Sequence, residues 1–433
     1  MRAVGSGSGR VVLATYGSPG DLNPYLAIGR ELARRGHPVA IATSACHAAR
    51  VAAAGLECRP VRPDRDPDRP DPDLIERVRH GLRSPAAVFR EMFMPELEAS
   101  YHDLVAATAD ADLLVSHTLA FAAPLVAETT GVAWASAVVQ PLGFFSGYDP
   151  PVLGPPALVE ALRRAGPNAT RPAIRAAKGA TGPWTRPWHD LRRTLGLPVV
   201  RTNPVFAGQH SPRLVLALFS PLLGRPQPDW PAHVVVCGFP FPDAERPPLP
   251  DALRAFLDGG PPPVVFTLGT TAVNDAGRFY EVSAGAAAAV GRRAVLVTGR
   301  DPANRPSGLP DGMVAVPWAA YESLFPLAEA IVHQAGIGTL SRAMEAGRPM
   351  LAMPYAHDQP DNAARARRLG IARVVPRRRY ATERVAQELA VLLGLGRYAE
   401  RAAAVGAAVR REAGVATACE AIEALLDGRA DGA

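Results

Sequence analysis

Short apolar runs alternate along the chain with segments whose apolar residues recur every three or four positions. The first run, VVLATY at 11–16, is followed by glycines and then by one apolar helical face that ends before Gly36. A second run, PVAIAT, lies at 38–43. This order predicts a βαβ unit with parallel strands and a right-handed crossover, in which Asn23 caps the helix and Pro24 occupies its first turn.

The same pattern returns through the rest of the chain. DLLVS and VAWASAVV flank a helical segment at 119–130, and RLVLAL at 213–218 predicts another strand. Beyond residue 263 the strand-like runs are VVFTLGT, AVLVTG, MVAVP, AIVH, PMLAMP and IARVV, with helical segments between them. Three closing helices are predicted over 381–427. The predicted fold class is α/β, with two Rossmann-like parallel domains and C-terminal helices.

The length of the chain also favours two domains. Its 433 residues exceed the size at which one hydrophobic core keeps growing. Proline is dense between 220 and 263, as in PLLGRPQPDWP and GGPPP, which is typical of an interdomain connection. The predicted limits are 1–222 for the first domain, 223–262 for the linker and 263–433 for the second domain, and we expect the domains to face each other across a cleft.

Composition narrows the function classes. Hydrophobic residues make up 48% and charged residues 20%, which is typical of a folded globular protein. The formal charge of +6 comes with no clusters of arginine interleaved with aromatic residues, so we expect no nucleic acid partner. The four cysteines lack metal-ligand spacing, and we expect neither a signal peptide nor a transmembrane segment. The prediction is a cytoplasmic monomer or homodimer, for which peripheral membrane contact stays open.

Ligands bind an open parallel sheet beyond the carboxyl ends of its strands, and three loops there are informative: 17–21, 269–271 and 333–339. In the last loop, strand AIVH runs through His333 into Gly336, Gly338 and a helix that starts near Thr339. Free backbone N–H groups and the positive end of the helix dipole suit a diphosphate, to which the His333 and Thr339 side chains add donors. The alternative is that the glycines serve close packing and His333 lies in the core.

The residues around this loop resemble a known sequence box. The residues that match are Trp318, His333, Gly336, Gly338, Gly347, Pro349, Pro354, Asp358 and Gln359. They have the spacing of the donor-binding box of family 1 glycosyltransferases, in the form of its bacterial members, which are related to antibiotic, rhamnolipid and sterol glycosyltransferases. The resemblance extends to GSPGDLNPYLAIGRELARRGH at 17–37 and, more loosely, to LGTT at 268–271.

This resemblance implies the GT-B fold, with an acceptor-binding first domain and a donor-binding second domain. It implies inverting transfer of a sugar from a UDP- or dTDP-sugar to an apolar small molecule such as a polyketide, phenolic, sterol or lipid. The nucleotide sugar is then a co-substrate, and neither a cofactor nor a metal is expected.

The resemblance also implies individual donor contacts. The expected donor-binding residues are Thr270, Thr271, Trp318, His333, Gly336, Gly338, Thr339, Asp358 and Gln359. Trp318 would stack on the nucleobase, for which an indole offers a broad face, and the alternative for it is core packing. The two threonines would lie near the phosphates. Asp358 and Gln359 would hold sugar hydroxyls, because a carboxylate beside an amide can both accept and donate.

The chain departs from the plant version of this box at the ribose. Where a glutamate normally binds the ribose hydroxyls, Ser341 or Arg342 is present, and Glu345 follows one turn later. A deoxyribose donor such as a dTDP-sugar would not need the lost contact, whereas Glu345 could replace it for a UDP-sugar. The identity of the nucleotide stays open.

On the acceptor side, inversion needs a base that removes the hydroxyl proton. Asp21 lies on the first strand-to-helix loop, where the resemblance places a catalytic histidine or aspartate, and we expect it to be the base. Its alternative role is helix capping. His117 follows the strand DLLVS and could share the proton or merely cap its own loop.

Three aromatic residues, Phe144, Phe145 and Tyr148, lie on a loop that leaves a strand, together with glycine and proline. They favour an apolar acceptor pocket, and the alternative is anchoring of the loop to the core. The segment PDRDPDRPDPD at 63–73 predicts a solvated loop, and a metal site formed by its aspartates is the minor alternative.

Three other functions are alternatives to sugar transfer. A nicotinamide dehydrogenase is disfavoured because Gly17 and Gly20 lack the third glycine of G-x-G-x-x-G, and no acidic residue ends PVAIATS. A sugar-nucleotide epimerase of the same fold, which acts on the donor alone, stays open. So does a noncatalytic partner that keeps the fold, although the intact site residues disfavour it.

Overall fold

The structure is a computed structural model that describes residues 8–64, 89–242, 246–270 and 272–428, and its strands form two separate sheets. The chain divides into a first unit, Met1–Pro242 with Ala413–Ala433, and a second unit, Asp243–Glu412. The division at Pro242 falls inside the predicted linker 223–262. The last helix groups with the first unit, whereas the predicted limits placed it in the second domain.

The first unit contains a seven-stranded parallel sheet in the order β3-β2-β1-β4-β5-β6-β7. Its strands are β1 (Val11–Ala14), β2 (Val39–Thr43), β3 (Glu57–Pro60), β4 (Leu113–His117), β5 (Ala133–Val138), β6 (Val215–Ala217) and β7 (Val234–Val236). Every residue of β1, β2 and β4 is buried, as expected for strands covered on both faces.

The described helices of this unit cover the sheet and its edges. They are α1 (Pro19–Arg34), α2 (Ala48–Ala53), α3 (Leu97–Ala107), α4 (Ala123–Thr130), α5 (Pro156–Ala165), α6 (Pro167–Ala180), α7 (Arg186–Thr194) and, from the C-terminal segment, α15 (Gly414–Leu426). Helix α15 packs on α1, where Arg35 forms a 2.8 Å ion pair with Glu423.

The second unit contains a six-stranded parallel sheet in the order β10-β9-β8-β11-β12-β13. Its strands are β8 (Val264–Thr267), β9 (Ala294–Val297), β10 (Met313–Val316), β11 (Ala330–His333), β12 (Met350–Ala352) and β13 (Ala372–Val374). The described helices are α8 (Asp251–Asp258), α9 (Phe279–Ala289), α10 (Tyr321–Leu324), α11 (Ile337–Ala346), α12 (Gln359–Arg368), α13 (Thr382–Gly394) and α14 (Arg397–Val409). The prediction of two parallel α/β halves is confirmed.

Each sheet has one point at which the strand order reverses. In the first sheet this point lies between β1 and β4, and in the second between β8 and β11. The loops that leave the two strands diverge there and open a crevice at the carboxyl edge, which is where α/β sheets bind ligands. Asp21 and His117 follow β1 and end β4, while Gly269 and His333 follow β8 and end β11.

The start of α1 differs from the prediction. The helix begins at Pro19 with Ser18 as its N-cap, so Asn23 is not the cap and Pro24 lies inside the helix. Ser18 and Pro19 form a favourable start because proline at the first position needs no donor, and Asp21 accepts the N–H of Ser18. Asp21 therefore occupies the third helical position.

Several elements lack a strong periodic signal and were not predicted. They are β3, α2, α3 and the helices between 156 and 194, which are short or lie where proline and glycine interrupt the pattern. The predicted helix at 119–130 is shorter, since α4 begins at Ala123. The three closing helices over 381–427 are present as predicted.

Helix α11, which begins in the loop 333–339, packs against α14 through a contact between two glycines. A Cβ added to Gly406 would lie 2.6 Å from Gly347 Cα and 2.9 Å from the carbonyl oxygen of Met344. Both atoms belong to the backbone and cannot rotate away. The separation of the two helices therefore depends on glycine at position 406.

We expect Gly406→Ala to destabilise the protein by about 1–3 kcal/mol, because α14 must move away from α11 to admit one methyl group. Urea unfolding of the variant measures this loss. Gly179→Ala is the matched control, since Gly179 lies in α6 with no atom within 4 Å of an added Cβ, and its effect should stay within about 1 kcal/mol. Equal stability of the two variants would contradict the prediction.

Candidate functional site

The loop after β1 fixes the orientation of the Asp21 carboxylate. Its Oδ2 atom accepts hydrogen bonds from the N–H and from the hydroxyl of Ser18, both at 2.9 Å. Gly17 has φ 110°, and a Cβ there would lie 2.6 Å from Asp21 Oδ2, so only glycine permits this approach. Asp21 therefore does stabilise the helix start, as its alternative role requires, but only one carboxylate oxygen is used for it.

The other carboxylate oxygen faces His117 at the end of β4. Asp21 Oδ1 lies 3.9 Å from His117 Nε2, and the imidazole is buried. His117 Nδ1 accepts the N–H of Leu119 at 3.1 Å, so the proton of the neutral ring resides on Nε2. The structure thus brings the two predicted residues close together, at a separation longer than a hydrogen bond, and His117 Nε2 has no hydrogen-bond partner among the described residues.

Burial keeps this histidine neutral. Desolvation lowers the pKa of His117, and the nearby Asp21 carboxylate opposes the shift only in part. Tyr25, one helical turn beyond Asp21, places its ring edge-on to the imidazole at 6.2 Å between centroids. Burial and the Asp21 charge hold the pKa of the Tyr25 hydroxyl well above its usual value.

The three predicted acceptor aromatics have different surroundings. Phe144 is buried and stacks on Trp230 with 3.9 Å between ring centroids, which is the packing expected of a residue that anchors its loop to the core. Phe145 packs edge-on against Phe206 at 4.5 Å. Tyr148 is exposed, with the Arg171 guanidinium 5.9 Å from its ring centroid.

A small, mostly apolar cavity lies at the same edge of the first sheet. Its lining residues are Tyr16, Pro63, Phe93, Leu97, Ser100, Leu119, Phe121 and Ala122. Tyr16 directly precedes the Gly17 turn, and Leu119 contacts His117 through its N–H, so the cavity adjoins the loops of Asp21 and His117. Sequence patterns could not locate it, because its walls come from four separate segments of the chain.

In the second unit, β11 runs directly into α11 through a tight loop. Ala335 has φ 67°, a conformation that residues other than glycine rarely adopt. Its N–H donates to His333 Nδ1 at 3.1 Å. This bond leaves the imidazole proton on Nε2, as at His117.

The His333 side chain is completely buried, and within the described part of the chain its Nε2 has no hydrogen-bond partner. Desolvation lowers the pKa of His333 to about 3. A neutral N–H group thus lies buried and unsatisfied beside the positive end of α11, which is an arrangement suited to an anionic oxygen.

Two other segments surround this loop. A Cβ on Gly269 would lie 2.1 Å from Gln334 Nε2 and 3.4 Å from Thr339 Oγ1, so the loop after β8 passes closely over the start of α11. Thr270 is half-buried beside it, and Thr271 lies outside the described residues. Gly336 is the N-cap of α11, and Gly338 and Thr339 lie in its first turn.

The predicted sugar-binding pair sits at the start of α12. Asp358 Oδ2 accepts the N–H of Ile337 at 3.2 Å and the Asn362 amide at 2.6 Å, so it caps α11 from the neighbouring helix. Gln359 Oε1 accepts the N–H of Tyr355 at 2.8 Å. Both side chains therefore lie at the same edge as the loop that contains His333.

Trp318 follows β10 and is 63% exposed, so core packing does not explain it. An exposed indole is a suitable stacking surface for a base. Arg342 and Glu345 form a 2.8 Å ion pair on α11. Glu345 is the residue that could replace the glutamate contact to the ribose hydroxyls, and one of its carboxylate oxygens is bound by Arg342.

The described residues contain no group of three or more histidine, cysteine, aspartate or glutamate side chains placed to hold a metal ion. None of their helices is long and apolar enough to cross a membrane. The Asp/Pro segment proposed as a solvated loop lies almost entirely outside this part of the chain, from residue 65 onward.

Four residues that contact the predicted site residues were missed from the sequence: Ser18 and Tyr25 in the first unit, and Gln334 and Asn362 in the second. Tyr25 and Asn362 each lie four residues after a predicted site aspartate on a helix, which places them on the same face. That spacing was the available signal. The Ser18 and Gln334 contacts depend on loop geometry that periodicity does not determine.

Two family models match the chain. Residues 11–141 match the glycosyltransferase family 28 N-terminal domain, and residues 281–422 match the C-terminal domain of erythromycin biosynthesis protein CIII-like proteins. The first match contains Asp21 and His117. The second contains His333 and the start of α11.

Relatives match over nearly the whole chain. The chain is 33% identical to O-mycaminosyltylonolide 6-deoxyallosyltransferase of Streptomyces fradiae, covering 97% of this chain and 98% of the relative. It is 31% identical to vancomycin aglycone glucosyltransferase of Amycolatopsis orientalis, covering 84% of each.

Solved structures match the fold. The glycotransferase of kitacinnamycin superposes with a TM-score of 0.70 at 22% identity, covering 96% of this chain and 98% of the other. Glycosyltransferase VinC in complex with dTDP gives 0.68 at 20% identity, covering 97% and 100%.

We expect the buried His333 to make stability depend on pH. Its folded pKa of about 3 lies below the value near 6.5 of an unfolded histidine, so the unfolded state binds more protons between these values and stability falls with decreasing pH. Between about pH 5.5 and pH 4 this residue alone should contribute a slope of about 1.4 kcal/mol per pH unit. Urea unfolding of His333→Gln at several pH values should show a slope smaller by that amount.

The control for this measurement is His102→Gln, because His102 is exposed and loses little hydration on folding. Its unfolding free energy should follow the pH dependence of the native chain. A His333→Gln variant with the unchanged slope would contradict the neutral state of the imidazole.

Proposed function

The chain belongs to the GT-B glycosyltransferase family of these relatives, and from that premise we propose that it is an inverting, metal-independent hexosyltransferase. It moves a sugar from a nucleoside diphosphate donor to a hydroxyl of an apolar small molecule. The observation that supports this best is the buried, unsatisfied N–H of His333 at the positive end of α11. That group is placed to receive the charge of a leaving diphosphate.

The loop 333–339, the start of α11 and Asp358 together form what we call the donor half-site. It offers neutral hydrogen-bond donors for this charge. The N–H groups at the start of α11, the His333 imidazole and the Thr339 hydroxyl can bind phosphate oxygens, and the helix dipole adds to the attraction. The Gly269 loop passes near enough for Thr270 to take part. Because these groups meet the negative charge of the diphosphate, no divalent cation is required. Trp318 provides the stacking surface for the base.

We infer that the nucleotide is a deoxyribonucleotide of the dTDP type. Arg342 Nη1 donates to Glu345 Oε2 at 2.8 Å, so a ribose 2′-hydroxyl would compete with the guanidinium for this carboxylate. A deoxyribose has no such hydroxyl and loses nothing there. The related VinC structure contains dTDP, which agrees with this choice for a relative of the same fold.

In the transfer step, Asp21 Oδ1 takes the proton of the acceptor hydroxyl. The acceptor oxygen then bonds to the anomeric carbon as the bond from that carbon to the diphosphate breaks, and the configuration inverts because the two oxygens lie on opposite faces. The diphosphate leaves with the electron pair and is held at α11. Ser18 fixes Asp21 Oδ2, so Oδ1 is the oxygen presented for this proton.

His117 acts beside the base as a neighbouring N–H group and not as a proton acceptor. Its Nδ1 is occupied by the Leu119 N–H and its Nε2 bears the proton, so the neutral ring has no free lone pair with which to share the acceptor proton. Its Nε2 lies 3.9 Å from Asp21 Oδ1, which is beyond hydrogen-bond distance, so it acts on the carboxylate through the attraction between the charge and the ring dipole. We therefore assign His117 as a positioning residue.

The acceptor is apolar at least in the part next to the reacting hydroxyl. The cavity that adjoins the Asp21 loop has Phe93, Leu97 and Phe121 in its walls. Phe145 and Tyr148 provide further aromatic surface in the same unit, whereas Phe144 contributes only through packing. This small cavity would meet only a part of an acceptor such as a polyketide. By their names, two relatives act on O-mycaminosyltylonolide and on vancomycin aglycone.

We expect Asp21→Asn to lower kcat by about 10²- to 10⁴-fold, because the amide cannot accept the proton. The Kd for the nucleoside diphosphate should not change, since Asp21 lies in the first unit and the diphosphate contacts lie in the second. Product formation by mass spectrometry over a panel of dTDP-sugars and polycyclic alcohols, with calorimetry for binding, measures both.

Asp103→Asn is the matched control in the same unit, because Asp103 pairs with Arg62 at the surface, where loss of the pair costs little. Its activity should equal that of the native chain. Undiminished turnover by Asp21→Asn would remove the base assignment, and no product with any pair of substrates would favour a noncatalytic role.

We expect dTDP and dUDP to bind about equally and UDP to bind more weakly, because only UDP brings a 2′-hydroxyl that lacks an acceptor. A missing hydrogen bond of this kind corresponds to about a five- to tenfold difference in Kd. Calorimetric titration with the three nucleotides separates the hydroxyl from the 5-methyl group. Tighter binding of UDP than of dUDP would reverse the nucleotide assignment.

A further inference from the structure

Asn362 is a buried residue of α12 whose side-chain amide joins two parts of the donor half-site. Its Nδ2 donates to the carbonyl oxygen of Ala335 at 3.0 Å and to Asp358 Oδ2 at 2.6 Å. An amide nitrogen has two hydrogens, so both donors are used and the orientation of the amide is determined. The side chain has no exposed surface. None of the roles described so far employs it.

The first of these contacts holds the backbone of the diphosphate loop. Ala335 has φ 67°, and such a conformation persists only where the surroundings enforce it. Its N–H donates to His333 Nδ1 and its carbonyl oxygen accepts from Asn362, so the residue is fixed on both sides. The same N–H keeps the imidazole proton on Nε2. Asn362 thus stabilises the loop that orients both the His333 ring and the amides of α11.

The second contact holds the carboxylate predicted to bind sugar hydroxyls. Asp358 Oδ2 accepts from the Ile337 N–H and from Asn362, so this oxygen is tied to the start of α11. A carboxylate held by two donors keeps one rotamer and presents its second oxygen in a fixed direction. The position of Asp358 and the shape of the diphosphate loop are therefore set by one side chain.

We propose that Asn362 is a positioning residue that couples the diphosphate loop to the sugar-binding carboxylate of the donor site. This inference rests on the proposed function, because that function places the donor at this half-site. Asn362 is not a catalytic residue, since its hydrogens contact only the protein. A donor meets His333, the α11 amides and Asp358 already arranged, and so loses less free energy in ordering them.

Asn362→Asp tests the proposal because it keeps the size of the side chain and removes its two donors. At pH 8 the new carboxylate would face Asp358 Oδ2 and the Ala335 carbonyl oxygen, and all of these are acceptors. At lower pH two such close carboxylates share a proton, which restores one donor. We expect the Kd for dTDP, relative to that of the native chain, to rise about tenfold or more at pH 8 and to recover most of this loss at pH 5.5.

Two further variants keep the result interpretable. Asn362→Ala removes the donors without adding a charge, so its dTDP affinity should be reduced similarly at both pH values. Asn203→Asp is the matched control, because the Asn203 amide also donates to two oxygens, the carbonyl of Lys178 at 3.3 Å and the hydroxyl of Thr181 at 3.0 Å, but does so in the first unit. Its relative Kd should stay near one throughout.

Isothermal titration with dTDP decides between the outcomes. Native affinity in both Asn362 variants at pH 8 would overturn the proposal, and so would a loss in Asn362→Asp that does not change with pH. A native chain that binds neither dTDP nor UDP would instead contradict the proposed function. The native titration therefore distinguishes failure of the function from failure of this inference.

Discussion

The first backbone N–H groups of α11 have no acceptor within their own helix. The loops around the helix start are arranged by the acceptors that these groups find. One of them, at Ile337, donates to Asp358 from the next helix. Beside the same helix start lies the buried His333 imidazole, whose Nε2 has no hydrogen-bond partner in the described part of the chain. Donors gathered in this way disfavour a cation and favour an anion with several oxygens. On the proposed function, binding of a diphosphate would depend on the backbone as much as on side chains.

This constraint extends outward through close contacts. The loop can adopt its shape because Ala335 is held in a rare conformation from both sides, and Gly269 lets the neighbouring loop approach Gln334. Behind the helix, Gly406 lets α14 pack directly on the backbone of α11. Gly269 and Gly406 lack room for any side chain. The geometry of the loop is therefore determined by packing over a wider region than the ligand itself would contact.

The sequence was sufficient for the larger features because they depend on periodicity. Buried strands such as β1 and β11 read as continuous apolar runs. The resemblance located Asp21 and His333 at strand ends, and the strand pattern itself located His117. What it could not supply was the pairing between distant segments. Asn362 meets Ala335 across 27 residues, and the proton positions on His117 and His333 follow from backbone donors two residues away. Such contacts depend on loop conformations that local patterns do not encode.

Helix α1 illustrates a different limit. Asn23 and Pro24 form a plausible start by composition, yet Ser18 and Pro19 form the actual one, and this moves Asp21 from the loop into the first helical turn. The structure thus combines two alternatives that sequence reasoning kept separate. One oxygen of Asp21 serves the helix, and the other faces His117.

The proton on His117 Nε2, the ring nitrogen nearest to Asp21, has a consequence for the complete reaction cycle. Because Nε2 already bears a proton, it has no lone pair that could accept one. A protonated Asp21 therefore cannot pass its proton to this histidine. Asp21 retains 23% of its side-chain surface in contact with solvent, so bulk water or buffer is the available sink for that hydrogen ion. On the proposed assignment, regeneration of the carboxylate between turnovers becomes an exchange with the surrounding medium.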